Sequence, residues 1–118
     1  LYAQGAGPRP VPMIEDVGVP PEELPRFLAA SRDLLRQHDF AGSVLCHVLS
    51  GQVHTRPFAD LNDPGDRSRL WALAEAVHGL ALALGGTVST QHGTGLARTP
   101  WVEKQSGPLL PVFRELKQ

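Results

Sequence analysis

The 118-residue chain contains a single cysteine, Cys46. One thiol excludes an internal disulfide framework and any all-cysteine zinc or iron–sulfur cage within these residues, and it fits a reducing, cytoplasmic setting. An excess of charge of either sign is missing too. Eleven Lys and Arg against twelve Asp and Glu leave a net charge of −1, so no bulk positive field draws in nucleic acid or anionic lipid. No apolar run approaches the roughly 18 residues that span a bilayer, and no charged segment followed by an apolar one marks an export signal. Neither a transmembrane segment nor a nucleic-acid partner is expected.

What is present is a globular composition, with 42% of residues in the hydrophobic set and 12 glycines and 11 prolines that make it rich in turns. The length fits one domain. The chain opens at Leu1, passes through Gly5, Gly7, Pro8 and Pro10, and stops at Gln118 in a helical-looking run. This suggests a piece of a larger protein, with residues 1–10 as a lead-in and residues 11–118 as the folded part.

Apolar periodicity orders the elements. Val11 to Val19 is β-branched and apolar with Glu15 and Asp16 set in it, and Pro20-Pro21 closes it, which predicts a strand. Leu24, Phe27, Leu28, Ser31 and Leu35 follow at helical spacing to about His38. Gly42 to Leu49 and Gln52 to Phe58 are β-type runs around Ser50-Gly51, a two-residue hairpin turn. Asp63 before Pro64 caps a second helix whose stripe is Leu70, Leu73, Ala74, Val77, Leu80, Ala81 and Leu84, and Gly85-Gly86 ends it. Thr87 to His92 then predicts a last strand, followed by helical segments around Pro100 to Gln105 and Pro108 to Lys117. The order strand, helix, strand, strand, helix, strand predicts an α+β fold of the ferredoxin-like split βαββαβ type. Its antiparallel sheet carries both helices on one face.

The hairpin places chemistry on the other face. With Ser50-Gly51 as the turn, paired positions sum to 101 and His47 lies opposite His54, their Cβ atoms about 4.5 to 5.5 Å apart. Alternation then puts Leu45, His47, Leu49, Gln52, His54, Arg56 and Phe58 on one face and Val44, Cys46, Val48, Val53 and Thr55 on the core face. Two imidazoles that close can share a divalent metal or, with one protonated, bind an anion. Cys46 reads as a small buried hydrophobe, His38 and His78 as surface or helix-end residues, and Trp71 and Trp101 as packing. A second cluster, Gln91, His92, Gly93, Gly95 and Arg98, lies at the end of the last strand, where glycines allow sharp turns or close approach to a ligand. Its glycine spacing matches neither a P-loop nor a dinucleotide fingerprint.

Taken together, Cys46-His47-Val48-Leu49-Ser50-Gly51-Gln52-Val53-His54 and Ser89-Thr90-Gln91-His92-Gly93-Thr94-Gly95 resemble two motifs of the C-terminal substrate domain of the FAD-linked oxidases and dehydrogenases. These motifs are Gly-His-x-x-x-Gly-x-x-His and Ser-Gly-Glu-His-Gly-x-Gly, in a family that includes D-lactate, glycolate and D-2-hydroxyglutarate dehydrogenases. Ile14-Glu15-Asp16-Val17 before Val19-Pro20 resembles the family's opening strand. Gln52 to Phe58 is closest to members fused to an iron–sulfur module. The resemblance spans Pro10 to Leu116.

It implies an oxidoreductase that transfers the C2 hydride of a small 2-hydroxyacid to FAD. The FAD would be bound mainly by another domain of the same protein, and any iron–sulfur cluster would lie elsewhere in it. It implies His92 as the base that takes the hydroxyl proton, and His47, His54 and Gln91 as the positions of a divalent metal site, zinc for example. Arg56 and Arg98 are implied as holders of the substrate carboxylate. Gln91 stands where the family carries Glu, and a neutral amide holds a dication more weakly. The alternative expectation is a non-catalytic ferredoxin-like binding or interaction module whose histidine face takes a small anion or a partner.

Overall fold

The structure, a computed structural model, describes residues 7–118. Residues 1–6 of the expected lead-in lie outside the described residues. In chain order the elements are β1 (Arg9–Pro10), β2 (Ile14–Gly18), α1 (Leu24–Gln37), β3 (Gly42–His47), β4 (Gln52–Ala59), α2 (Pro64–Ala83), α3 (Gly95–Ser106) and α4 (Leu110–Lys117). The fold is α+β with an open antiparallel sheet, as expected.

β4 is the centre of the sheet, with β3 along one edge and β2 and β1 along the other. The expected last strand from Thr87 to His92 is reduced to one bridge, Gly18 to Thr87, beside β2. That is the edge the split βαβ order assigns to it. The segment peels away after Thr87 because its backbone N–H groups turn to side chains in place of a ladder, Val88 to Gln105, Ser89 to Thr87, and Thr90, Gln91 and His92 to Asp16.

α1 and α2 pack on one face of the sheet. Leu24, Phe27 and Leu35 of α1 and Leu70, Leu73, Ala74, Val77 and Ala81 of α2 close over Ile14, Val17 and Val53. Asp63 caps α2 by accepting from the backbone N–H of Asp66 at 2.7 Å, with Pro64 at the first helical position. At its other end Gly85 adopts φ 78°, while the Gly85 and Gly86 N–H groups bond back to Leu82 and Ala81. This pair of bonds around a left-handed glycine satisfies carbonyls the helix would leave open.

The hairpin departs from expectation in register. Paired residues sum to 99, with His47 opposite Gln52 and Leu45 opposite His54. The turn spans four residues, Val48 to Gly51, because Ser50 bonds back to the carbonyl of His47 and Gly51 takes φ 67°. The Gly51 carbonyl also accepts from the Val19 N–H at 2.9 Å, and a Cβ on Gly51 would sit 1.9 Å from the Val19 carbonyl oxygen. A two-residue register shift leaves side-chain parity intact, so His47 and His54 still share a face.

Two further expectations change. Cys46 is only half-buried, since β3 lies at the edge of the helical layer. His38 does end α1, but His78 is fully buried between α2 and α3, 4.1 Å from the ring of Trp101. Its Nδ1 donates to the Ala74 carbonyl at 2.8 Å, and its Nε2 is buried without a partner. Protonation would bury an unsatisfied N–H and a charge. Burial, reinforced by the charge of Arg98 and opposed by the Ala74 bond and Glu75, pushes the His78 pKa down to about 4.

A histidine depressed in the folded state stabilises the fold fully above its unfolded value near 6.5 and loses that contribution as pH falls toward 4, because only the unfolded chain takes up the proton. Urea unfolding should therefore lose on the order of 3 kcal/mol from this residue between pH 7 and pH 4. His78→Phe, which keeps a ring against Trp101, should flatten that slope.

Candidate active site

The site is built on an irregularity in β2. Ile14 pairs with Thr55 and Val17 with Val53, so two residues of β2, Glu15 and Asp16, oppose the single residue His54. This is a β-bulge, and Asp16 adopts φ 70° to make it. The bulge turns both carboxylates to the face opposite the helices, beside His54, Gln52 and Arg56. Sequence patterning singled out the histidines and passed over the acids. The available signal was two adjacent acidic residues inside an apolar, β-branched strand.

Asp16 is completely buried and saturated with donors. Its carboxylate accepts the backbone N–H groups of Thr90, Gln91 and His92 at 2.9 to 3.1 Å, the hydroxyls of Ser89 and Thr90, and the side-chain amide of Gln52 at 2.9 Å. Three successive N–H groups around one carboxylate form an anion nest. Burial alone would raise the Asp16 pKa. The bonds from Thr90, His92, Ser89 and Gln91 outweigh it and hold the carboxyl well below the usual carboxylate range.

The loop so anchored closes over β4. The histidine face, expected to stand open, is partly covered: His54 is 8% and Gln52 2% exposed, whereas His47, Arg56, Gln91 and His92 remain exposed. The His54 ring lies 5.9 Å from that of His47 and 5.7 Å from that of His92. Glu15 Oε1 sits 2.6 Å from an Arg56 terminal nitrogen and 3.6 Å from His54 Nδ1. A cavity of about 350 Å³ is lined by Glu15, Ser43, Val44, Leu45, His54, Arg56 and His92.

The structure thus brings His54, His92 and Arg56 to one cavity, with His47 alongside. Arg98 is placed differently. Its two terminal nitrogens donate to the carbonyls of Glu15, at 3.0 Å, and Gly93, so its fork grips main chain at the back of the site. Gln91 contributes its backbone N–H to Asp16. Glu15, His54 and His92 offer donor atoms within 4.8 Å of one another, and His54 Nδ1 is buried with no hydrogen-bond partner. An orphaned buried imidazole nitrogen facing a carboxylate is suited to a divalent cation, so these residues fit a metal.

Residues 1–118 match the family model described as FAD linked oxidases, C-terminal domain. The chain is 37% identical over 109 residues to a D-2-hydroxyglutarate dehydrogenase of Pseudomonas putida, covering 92% of this chain and 11% of that protein. It is 36% identical over 93 residues to the D-2-hydroxyglutarate dehydrogenase of Escherichia coli, covering 79% and 9%. A probable mitochondrial D-lactate dehydrogenase of Danio rerio is 31% identical over 103 residues, covering 86% and 21%. The chain spans about a tenth to a fifth of the length of these relatives.

Asp16→Asn would keep the shape of the side chain but turn an amide donor toward the loop's own donors. It should cost about 3 kcal/mol in unfolding free energy and speed hydrogen exchange at the amides of residues 90 to 92. A depressed carboxyl contributes stability that is complete above its unfolded value and lost as pH falls through the folded one. The unsubstituted chain should therefore lose stability below about pH 4, and the variant should lack that acid component.

Proposed function

Because the chain belongs to the family of FAD-linked oxidase C-terminal domains, we propose that it forms the substrate-facing part of a FAD-dependent 2-hydroxyacid dehydrogenase, working with a flavin-binding domain of the same protein. The observation that carries this reading is the position of His92. It lines the cavity beside His54 and Arg56, on a loop whose backbone is locked by Asp16.

Flavin, when bound, supplies the acceptor for the hydride that leaves C2 of the substrate. The residues of this chain handle the accompanying proton and charge. The His92 imidazole takes the proton from the C2 hydroxyl oxygen while C2 gives up its hydride, and the C–O bond becomes the carbonyl of a 2-oxoacid. Histidine suits this task because its ordinary pKa lets the neutral ring accept a proton near neutrality. Arg56, at the mouth of the cavity, holds the substrate carboxylate through charge-assisted hydrogen bonds. Arg98 serves the same site by fixing Gly93 and Glu15, next to His92 and His54.

His47 and His54 would hold a divalent cation, with Gln91 at the position of the third ligand in the motif this segment resembles. A cation held there would supply positive charge that acidifies the substrate hydroxyl. An iron–sulfur module elsewhere in the same protein completes this reading as the onward path for electrons. The Gln52 to Phe58 resemblance supports it, and relatives many times the length of this chain leave room for such a module.

Two variants of the full-length protein test the assignment by stopped-flow flavin reduction with D-2-hydroxyacids such as D-2-hydroxyglutarate and D-lactate. His92→Gln should slow reduction by about 10²- to 10⁴-fold, the usual contribution of a general base, with bound flavin retained. Reduction at an unchanged rate would remove His92 from the reaction. Arg56→Leu should raise KM by about 10- to 100-fold, with a smaller effect on kcat, for the loss of one charge-assisted contact. A flavin-loaded protein that reduces with no 2-hydroxyacid would favour the binding-module alternative.

A further inference from the structure

The motif that residues 89–95 resemble carries Glu at the position of Gln91, and in this chain that residue is a neutral amide. We infer that Glu15 of β2 supplies the missing carboxylate to the divalent cation, standing in for Gln91. This rests on the proposal that a cation binds at the histidine pair, and it changes which residue provides the negative charge.

The bulge makes this possible. A regular strand would point only one of Glu15 and Asp16 toward His54, and the extra residue brings both. Asp16 is then consumed by the donors of the loop and of Gln52. Glu15 is not. Its side chain is 15% exposed and lines the cavity, and it faces His54 Nδ1, a buried imidazole nitrogen that lacks a hydrogen-bond partner.

The spacing is that of two ligands on one ion. The 3.6 Å between Glu15 Oε1 and His54 Nδ1 is too long for a hydrogen bond. Donors about 2.0 to 2.2 Å from a tetrahedral zinc lie roughly 3.3 to 3.5 Å apart. His92 completes a triangle in which all donor atoms fall within 4.8 Å. That keeps the proposed base next to the cation.

Arg56 also touches Oε1. A carboxylate has two oxygens and about four lone-pair sites, so the ion pair leaves acceptor capacity on Glu15. Charge balance points the same way. Two neutral imidazoles and an amide leave a dication uncompensated, whereas Glu15 removes one unit of that charge inside a partly closed site.

The test uses the full-length flavoprotein stripped of metal, titrated with Zn²⁺ against a chromophoric chelator, and loaded with Co²⁺ for its visible absorption. Glu15→Gln, which preserves side-chain shape, should weaken Zn²⁺ binding by at least about 100-fold and alter the Co²⁺ spectrum. Gln91→Ala should change affinity by less than about threefold. Restoring a loop carboxylate with Gln91→Glu in the Glu15→Gln background should recover most of the lost affinity, which also shows that the Glu15 variant is folded. If Glu15→Gln binds Zn²⁺ normally while Gln91→Ala or His47→Ala binds it poorly, the assignment to Glu15 is overturned and the cation reading stands. If the unsubstituted protein takes up no Zn²⁺ or Co²⁺, the cation reading itself fails, and this inference with it.

Discussion

The carboxylate of Asp16 is the constraint on which the rest of the site depends. A fully buried anion is expensive to desolvate, and it persists only when every acceptor position is used. Here the donors come from two places: Gln52 at the start of β4 and the stretch Ser89 to His92 beyond the last bridge of the sheet. Satisfying the charge therefore forces a segment that has left the sheet to wrap back across it. The position of His92 is a consequence of where Asp16 can be neutralised.

The loop is held by opposite charges acting on opposite backbone groups. Asp16 collects N–H groups of residues 90 to 92, and Arg98 collects the carbonyls of Gly93 and Glu15. Arg98 is 8% exposed, and buried guanidinium groups are tolerated where carbonyl oxygens meet them. An anion and a cation that never touch each other thus clamp the backbone on both sides of the proposed base. Catalytic geometry is sensitive to displacements of about 1 Å, and under the proposed role of His92 this double anchoring would serve the reaction as well as stability.

Much of this was legible in the sequence. The stripe of α2, its Asp63 cap and its glycine stop follow from local chemistry that tertiary contacts do not override. The shared face of His47 and His54 was legible as well, because parity depends only on counting. Register was not: whether a turn takes two residues or four depends on Gly51 docking its carbonyl on Val19, a contact between segments far apart in the chain. His78 was misplaced for a related reason. On a helical wheel it lies at the margin of the α2 stripe, and only the arrival of Trp101 from α3 buries it.

The acids of β2 show the same boundary more sharply. Period-two patterning assigns Glu15 and Asp16 to opposite faces, one of them the core, and an acid in the core is an unfavourable prediction. The bulge resolves the conflict by inserting a residue, and a left-handed aspartate, uncommon among non-glycine residues, accepts the backbone cost. Such a conformation persists where its surroundings over-determine it. Here the six donor groups around Asp16 do so. Two neighbouring carboxylates then take different fates: Asp16 is stabilised by surrounding dipoles and holds the loop, while Glu15 is left in the cavity facing His54 and Arg56.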